Sequence, residues 1–219
     1  MALRNSFVSS LLALAAVATL GAPRAAQAQS PAPIGDAKRG HALSYTCNGC
    51  HAISNYKNVY PTYSVPKLHG QRPEYLLAAL KAYKSGERSH GTMHAQASSM
   101  NEQDMADLAS YLAGEQVLTK SANDVPATAR PKASEVCLAC HGTNGVGITA
   151  DYPTIAGQHK DYLERALHDY QKGGRKNAIM AGMTATLTAQ DIVQLAEYYS
   201  AQTPSLEVVP KRNFFFSKN

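Results

Sequence analysis

The sequence predicts an all-α fold built from two tandem halves, and three observations carry this. Apolar and aromatic residues recur at helical spacing in several segments, no run alternates at period two, and a long set of residues occurs twice. Cys47-Asn48-Gly49-Cys50-His51 returns as Cys137-Leu138-Ala139-Cys140-His141, 90 residues on. Beyond it the offset becomes 87: Pro66 matches Pro153, Gly70-Gln71 matches Gly157-Gln158, Tyr75-Leu76 matches Tyr162-Leu163, Tyr83 matches Tyr170, Arg88 matches Arg175, and Met93 matches Met180. The three-residue excess falls between His51 and Pro66, in a polar, tyrosine-bearing stretch (55–60) that reads as a surface loop.

Each half reads as three helices. One leads into the Cys-x-x-Cys-His, from Asp36 to Thr46 in the first half and as a shorter piece near Ala133 in the second. Another runs from about Pro73 to Lys84 and from Lys160 to Lys172. Tyr75, Leu76, Ala79, Leu80 and Tyr83 share one face of it, and Pro73 stands where a first-turn proline belongs. The third opens at Asn101 and at Thr188, both N-cap types, with Asp104 and Asp191 three residues on, near the positive end of the dipole. The stretch 118–131, rich in Ser, Ala, Thr and Pro, reads as a linker. The halves are therefore placed at 29–118 and 119–219.

The first 28 residues read differently. Arg4, an apolar run from Leu11 to Leu20 and Ala26-Gln27-Ala28 have the order of a secretory signal peptide with its cleavage site, and the run is short for a bilayer span. Cleavage after Ala28 leaves 191 of the 219 residues and removes Arg4 and Arg24, so the charged count falls from 21 basic and 16 acidic residues to 19 and 16. No Lys/Arg run with interleaved aromatics follows, which excludes a nucleic-acid partner.

Cys47, Cys50, Cys137 and Cys140 are the only cysteines. In an exported chain four cysteines suggest two disulfides by default. A structural zinc site would need four converging ligands, and a thioredoxin-like Cys-x-x-Cys would need a βαβ context. Cys-x-x-Cys followed directly by His is instead the attachment sequence of c-type heme. Its two thiols, a helical turn apart, reach two vinyl groups, and the adjacent His supplies a nitrogen to the iron. The expectation is two covalently bound heme c groups, with His51 and His141 as iron ligands. Each ferric heme adds about −1, so the mature protein is near neutral.

A closed electron-transfer heme needs a sixth ligand, and soft thioether sulfur suits ferrous iron. Of the methionines beyond residue 28, only Met93 and Met180 align at the 87-residue offset, each 11 residues before the third-helix Asp, in a segment read as a loop. Met100 and Met105 read as core or staple residues, and Met183 competes with Met180. His90 and His94 flank Met93 and leave bis-His ligation open at the first heme; both read as solvated loop residues. His41, His69, His159 and His168 read as surface or interface residues. The Pro66 and Pro153 carbonyls are candidates to accept the proximal His N–H. Arg88 and Arg175 read either as propionate partners or as exposed arginines near a helix end.

These residues together resemble the diheme cytochrome c4 family. The resemblance spans both Cys-x-x-Cys-His motifs, Pro66-x-Leu68-x-Gly70-Gln71 and Pro153-x-Ile155-x-Gly157-Gln158, the Tyr-Leu helix, the Gly-x-Arg turn, and a Met before a capped helix. It implies two class I cytochrome c domains related by a pseudo-twofold axis, with His51/Met93 and His141/Met180 as axial pairs. It also implies a periplasmic, often membrane-associated shuttle between a cytochrome bc complex and a terminal oxidase, and no enzyme activity. The longer loop after His51, the two histidines beside Met93 and the Phe214–Phe216 tail depart from the pattern and leave the redox partner open. The rival reading is an electron-accepting subunit or diheme enzyme of thiosulfate oxidation or peroxide reduction, which would need an open sixth position.

Overall fold

In the computed structural model, residues 34–119 and 125–210 are described. The proposed signal segment, part of the linker and the Phe214–Phe216 tail lie outside the described residues. The first half contains α1 (Ala37–Leu43), α2 (Tyr45–His51), α3 (Pro73–Ser85), α4 (Gly91–Ser98) and α5 (Glu102–Ala113). In the second, a 3₁₀ stretch Lys132–Cys137 runs into α6 (Leu138–His141), followed by α7 (Lys160–Gln171), α8 (Ala178–Thr184) and α9 (Ala189–Ser200). Among the described residues the only β-type pairings are isolated bridges.

Local sequence explains the helix ends. Pro73 opens α3, and Gly86 closes it in the left-handed conformation. Asn101 and Thr188 each close a capping box with the Asp three residues on, so α5 and α9 start where their N-cap residues say they should. The expected single helix from Asp36 to Thr46 is two helices. Ser44, fully buried, turns its hydroxyl back to the His41 carbonyl at 2.8 Å, and the chain restarts as α2, which carries the heme motif itself. The segments bearing Met93 and Met180, expected as loops, are the short helices α4 and α8.

The first core forms where α1 crosses α5 and where Leu76, Leu77 and Leu80 of α3 meet Leu108 and Leu112 of α5. Asp107 of α5 is fully buried at the α1 crossing. It accepts the Asp36 N–H at 2.7 Å and the Gln103 amide at 2.8 Å, and pairs with Arg39. Burial alone would raise this carboxyl, but the Asp36 amide, Arg39 and Gln103 outweigh it and hold it below the ordinary value. Its contribution is thus complete above the unfolded-state pKa of about 4 and is lost as pH falls through the lower folded value. Asp107→Ala is expected to destabilise the first half by about 2–4 kcal/mol near neutral pH, because the Asp36 N–H, the Gln103 amide and the Arg39 guanidinium all lose a buried acceptor. Thermal unfolding from about pH 3 to 7 should show the deficit shrinking toward the acid end.

Contacts between the halves come from loops and from the first turn of α7. The two Gly-x-Arg turns pair: Ser89 N–H donates to the Gly174 carbonyl at 2.7 Å, and Lys176 N–H to the Glu87 carbonyl at 2.8 Å. The long loop after His51 is exposed at Val59 and Tyr60, as expected, yet its return strand is tied to α7. Ser64 donates its N–H and hydroxyl to the Asp161 carboxylate at 3.0 and 2.9 Å. The chain after α9 runs back to the first half: Glu207 and His69 exchange backbone bonds, and Val209, buried in the first core, donates to the His51 carbonyl at 3.0 Å.

Candidate heme-binding sites

Helix α2 places Cys47 and Cys50 one turn apart, with His51 at its C-terminal end. All four cysteines are unpaired thiols, so the disulfide reading does not describe this fold. Burial pushes the Cys47 thiol up, and that of Cys137 to about 11, so both stay neutral thiols until derivatised. His51 and His141 are buried, and each sets its Nδ1 against a proline carbonyl: Pro66 at 3.0 Å and Pro153 at 2.9 Å. A carbonyl only accepts, so Nδ1 carries the proton and Nε2 keeps a free lone pair for a metal. Burial lowers both histidines despite those bonds, which keeps them neutral at pH 7.

In the first half these groups line a cleft of about 1120 Å³, open mouth included. Leu68, Leu76, Leu80 and Leu108 supply apolar walls, and Cys47, Cys50, His51 and Met93 all face into it. An apolar slot with two thiols and a tautomer-fixed imidazole fits a planar macrocycle that needs two thioether links and an axial nitrogen. Among the described residues no cluster of three or more His, Cys, Asp or Glu could hold a bare metal ion.

Met93 and Met180 occupy the same position, the third residue of α4 and of α8. The Met93 N–H donates to His90 Nδ1 at 3.2 Å, and the Met180 N–H to Asn177 Oδ1 at 3.0 Å. His90 is therefore the N-cap of the methionine helix and lines the cleft, not a solvated loop residue. His94 is exposed and holds the Tyr83 carbonyl through Nδ1 at 2.8 Å. Met100 also lines the cleft, Met105 is a core residue, and Met183 is 42 % exposed.

Arg88 and Arg175 are not exposed helix-end arginines. Both are buried between the halves, and each donates to the Tyr162 hydroxyl at 3.1 Å. Burial would raise Tyr162, but the two guanidiniums outweigh it and bring it to about 8, whereas burial lifts its repeat partner Tyr75 to about 12 despite Arg88. Tyr162 belongs to the second half yet lines the first half's cleft. Sequence reasoning missed this, because the repeat pairs Tyr162 with Tyr75 without saying which half each serves.

An all-α pair of halves, each with a buried, carbonyl-held histidine behind two thiols, defines a tandem c-type cytochrome. The family described as Cytochrome c matches residues 37–115 and 132–201. A cytochrome c4 of Pseudomonas aeruginosa is 32% identical over 75% of this chain and 87% of its own. A thiosulfate dehydrogenase electron acceptor of Stutzerimonas stutzeri is 28% identical over 71% of this chain and 76% of its own. The crystal structure of reduced recombinant cytochrome c4 from Pseudomonas stutzeri superposes with a TM-score of 0.62 at 28% identity, covering 77% of this chain and 99% of that one. The chain belongs to the cytochrome c family as a diheme cytochrome c4-like member. It is an electron carrier with two covalently bound heme c groups, not an enzyme.

Proposed function

We propose that this protein is a periplasmic carrier of two closed, six-coordinate hemes, with 1–28 removed on export and 29–118 and 119–219 as its cytochrome domains. Cys47, Cys50 and His51 hold the first heme and Cys137, Cys140 and His141 the second, with Met93 and Met180 as the sixth ligands. Heme c, when bound, supplies a one-electron iron couple. The chain's part is to hold iron ligands still in both redox states, exclude water and expose an edge to partners. The observation that carries the reading is the first cleft, whose lining includes both His51, fixed by the Pro66 carbonyl, and Met93 on a capped helix.

Partner docking uses apolar side chains exposed beside each motif: Tyr45 and Ile53 at the first, Val136 and Ile148 at the second. With a near-neutral mature protein these contacts, more than long-range steering, set partner choice. The carrier takes electrons from a cytochrome bc complex or a periplasmic dehydrogenase and delivers them to a terminal oxidase, with peripheral membrane association. Among the described residues no helix is long and apolar enough to cross a membrane. The similarity to a thiosulfate dehydrogenase electron acceptor supports a dehydrogenase as donor. The test is stopped-flow reduction of the ferric protein by thiosulfate dehydrogenase with thiosulfate, against reduction by a quinol-fed bc complex. Rapid reduction by either is expected, with no CO binding to the ferrous protein. Ready CO binding would instead reveal an open iron and overturn the closed-carrier reading.

A further inference from the structure

We infer that Gln71 and Gln158 are crossed positioning residues, each setting the hydrogen bonding of the other half's proximal histidine. The inference rests on His51 and His141 being the iron ligands, and does not depend on the identity of the sixth ligand.

The geometry runs through single peptide groups. His51 Nδ1 lies 3.0 Å from the Pro66 carbonyl oxygen. That carbonyl shares its amide with the Lys67 N–H, which donates to Gln158 Oε1 of the other half at 2.9 Å. The Gln158 amide then donates back to the Lys67 carbonyl at 2.9 Å. The second half repeats this in reverse. His141 Nδ1 lies 2.9 Å from the Pro153 carbonyl, and the N–H of the same peptide group, at Thr154, donates to Gln71 Oε1 at 2.9 Å. Gln71 returns a bond to the Thr154 carbonyl at 2.8 Å. Each glutamine oxygen is also held by the next residue's own N–H, Arg72 at 3.0 Å and His159 at 3.1 Å. Gln71 and Gln158 are 3% and 5% exposed, so little water competes.

An amide whose N–H is hydrogen-bonded becomes a better acceptor at its carbonyl, because bonds in a chain polarise one another in a low dielectric. A better acceptor at Nδ1–H raises the basicity of the imidazole. The more basic imidazole favours ferric over ferrous iron and lowers the reduction potential. Gln158 therefore lowers the potential of the first heme and Gln71 that of the second. The Gln71 bonds are fully buried, whereas Lys67 is partly exposed, so the effect of Gln71 is the larger.

The experiment is a spectroelectrochemical titration of the full holoprotein, with the two hemes assigned by their methyl NMR resonances. Gln71→Met keeps the length of the side chain and removes the acceptor. It should raise the reduced-to-oxidised ratio of the second heme at a fixed potential by about three- to tenfold, tenfold being 59 mV for a one-electron couple. The first heme should move much less. Gln158→Met should do the converse, and the Nδ1–H resonance of the opposite histidine should shift in each case. Gln71→Glu keeps an acceptor for the Thr154 N–H, now anionic, while giving up the donor to the Thr154 carbonyl, so it should move the second heme the other way and by more than the first; it also serves if the Met variant yields no holoprotein. Loosening of the interface would move both hemes alike in both variants, and that result, or a shift confined to the variant's own half, overturns the inference. Loss of methionine ligation would show instead in the wild-type ferric spectrum and leaves the crossed shifts readable.

Discussion

Gly40→Ala should destabilise the first half by about 3 kcal/mol, the upper part of the usual overpacking range. Gly40 lies in α1 at its crossing with α5. A Cβ there would sit 2.0 Å from the Asp107 carbonyl oxygen, 2.5 Å from its carbon and 2.9 Å from Tyr111 Cβ. Those are backbone and near-backbone atoms of a buried helix, so they cannot swing aside as a side-chain tip would. Relief requires α1 to move off α5, which also strains the Asp107 contacts to Asp36 and Arg39. The better helix propensity of alanine returns only about 1 kcal/mol. Against a total stability of about 5–15 kcal/mol this is a large fraction. For a domain of this size it corresponds to a fall in Tm of about 10–20 °C. Gly49→Ala is the matched control. Nothing lies within 4 Å of a Cβ at Gly49, and the repeat already places Ala139 there. That variant should melt at or slightly above the wild type, and equal melting of Gly40→Ala and Gly49→Ala would dismiss the crossing argument.

What could be read in the sequence and what could not divide by range. The caps at Asn101 and Thr188 and the first-turn Pro73 are local chemistry, and the helices begin there. The proline carbonyl behind each histidine was also legible, because the repeat preserves a Pro at similar distance after each motif. The helices carrying Met93 and Met180 were not. Both are short, and Gly91-Thr92-Met93-His94-Ala95-Gln96-Ala97-Ser98 has no apolar stripe to announce itself. Here a signal was present but unused: the repeat sets His90 opposite Asn177, a strong N-cap type, and both accept the methionine N–H. The interface was beyond any local pattern. Gln71 meets Thr154, and Arg88 meets Tyr162, across 83 and 74 residues of chain. A glutamine, an arginine and a tyrosine kept in both halves were its traces, and none of them says which half its side chain meets.

Removing each methionine should give two different proteins, and the difference comes from a single N-cap. If Met93 and Met180 are the sixth ligands, Met93→Ala and Met180→Ala should each remove about half of the weak far-red band of thioether-bound ferric heme, the two hemes being equivalent contributors. Their ferrous forms should part company. In the second half the residue beside the vacated position is Asn177, whose oxygen caps α8 and is a poor ligand for ferrous iron. Met180→Ala should therefore leave an open heme that binds CO readily. In the first half the same place holds His90, which lines the cleft. Its Nδ1 accepts the backbone N–H of residue 93, which survives the change to Ala, so Nε2 carries the ring proton, and ligation through Nε2 requires that proton to move to Nδ1 and the cap bond to break. An iron–imidazole bond outweighs one cap bond of about 1 kcal/mol, so Met93→Ala should recover a low-spin, bis-His heme of lower potential, with the α4 cap given up, and bind CO to a much smaller extent than Met180→Ala. Adding His90→Asn, which copies the second half, keeps the helix cap and removes the substitute ligand. The double variant should then bind CO as Met180→Ala does. Equal CO binding by both single variants would show that His90 cannot reach the iron, and an unchanged far-red band in either would assign its sixth ligand to another side chain.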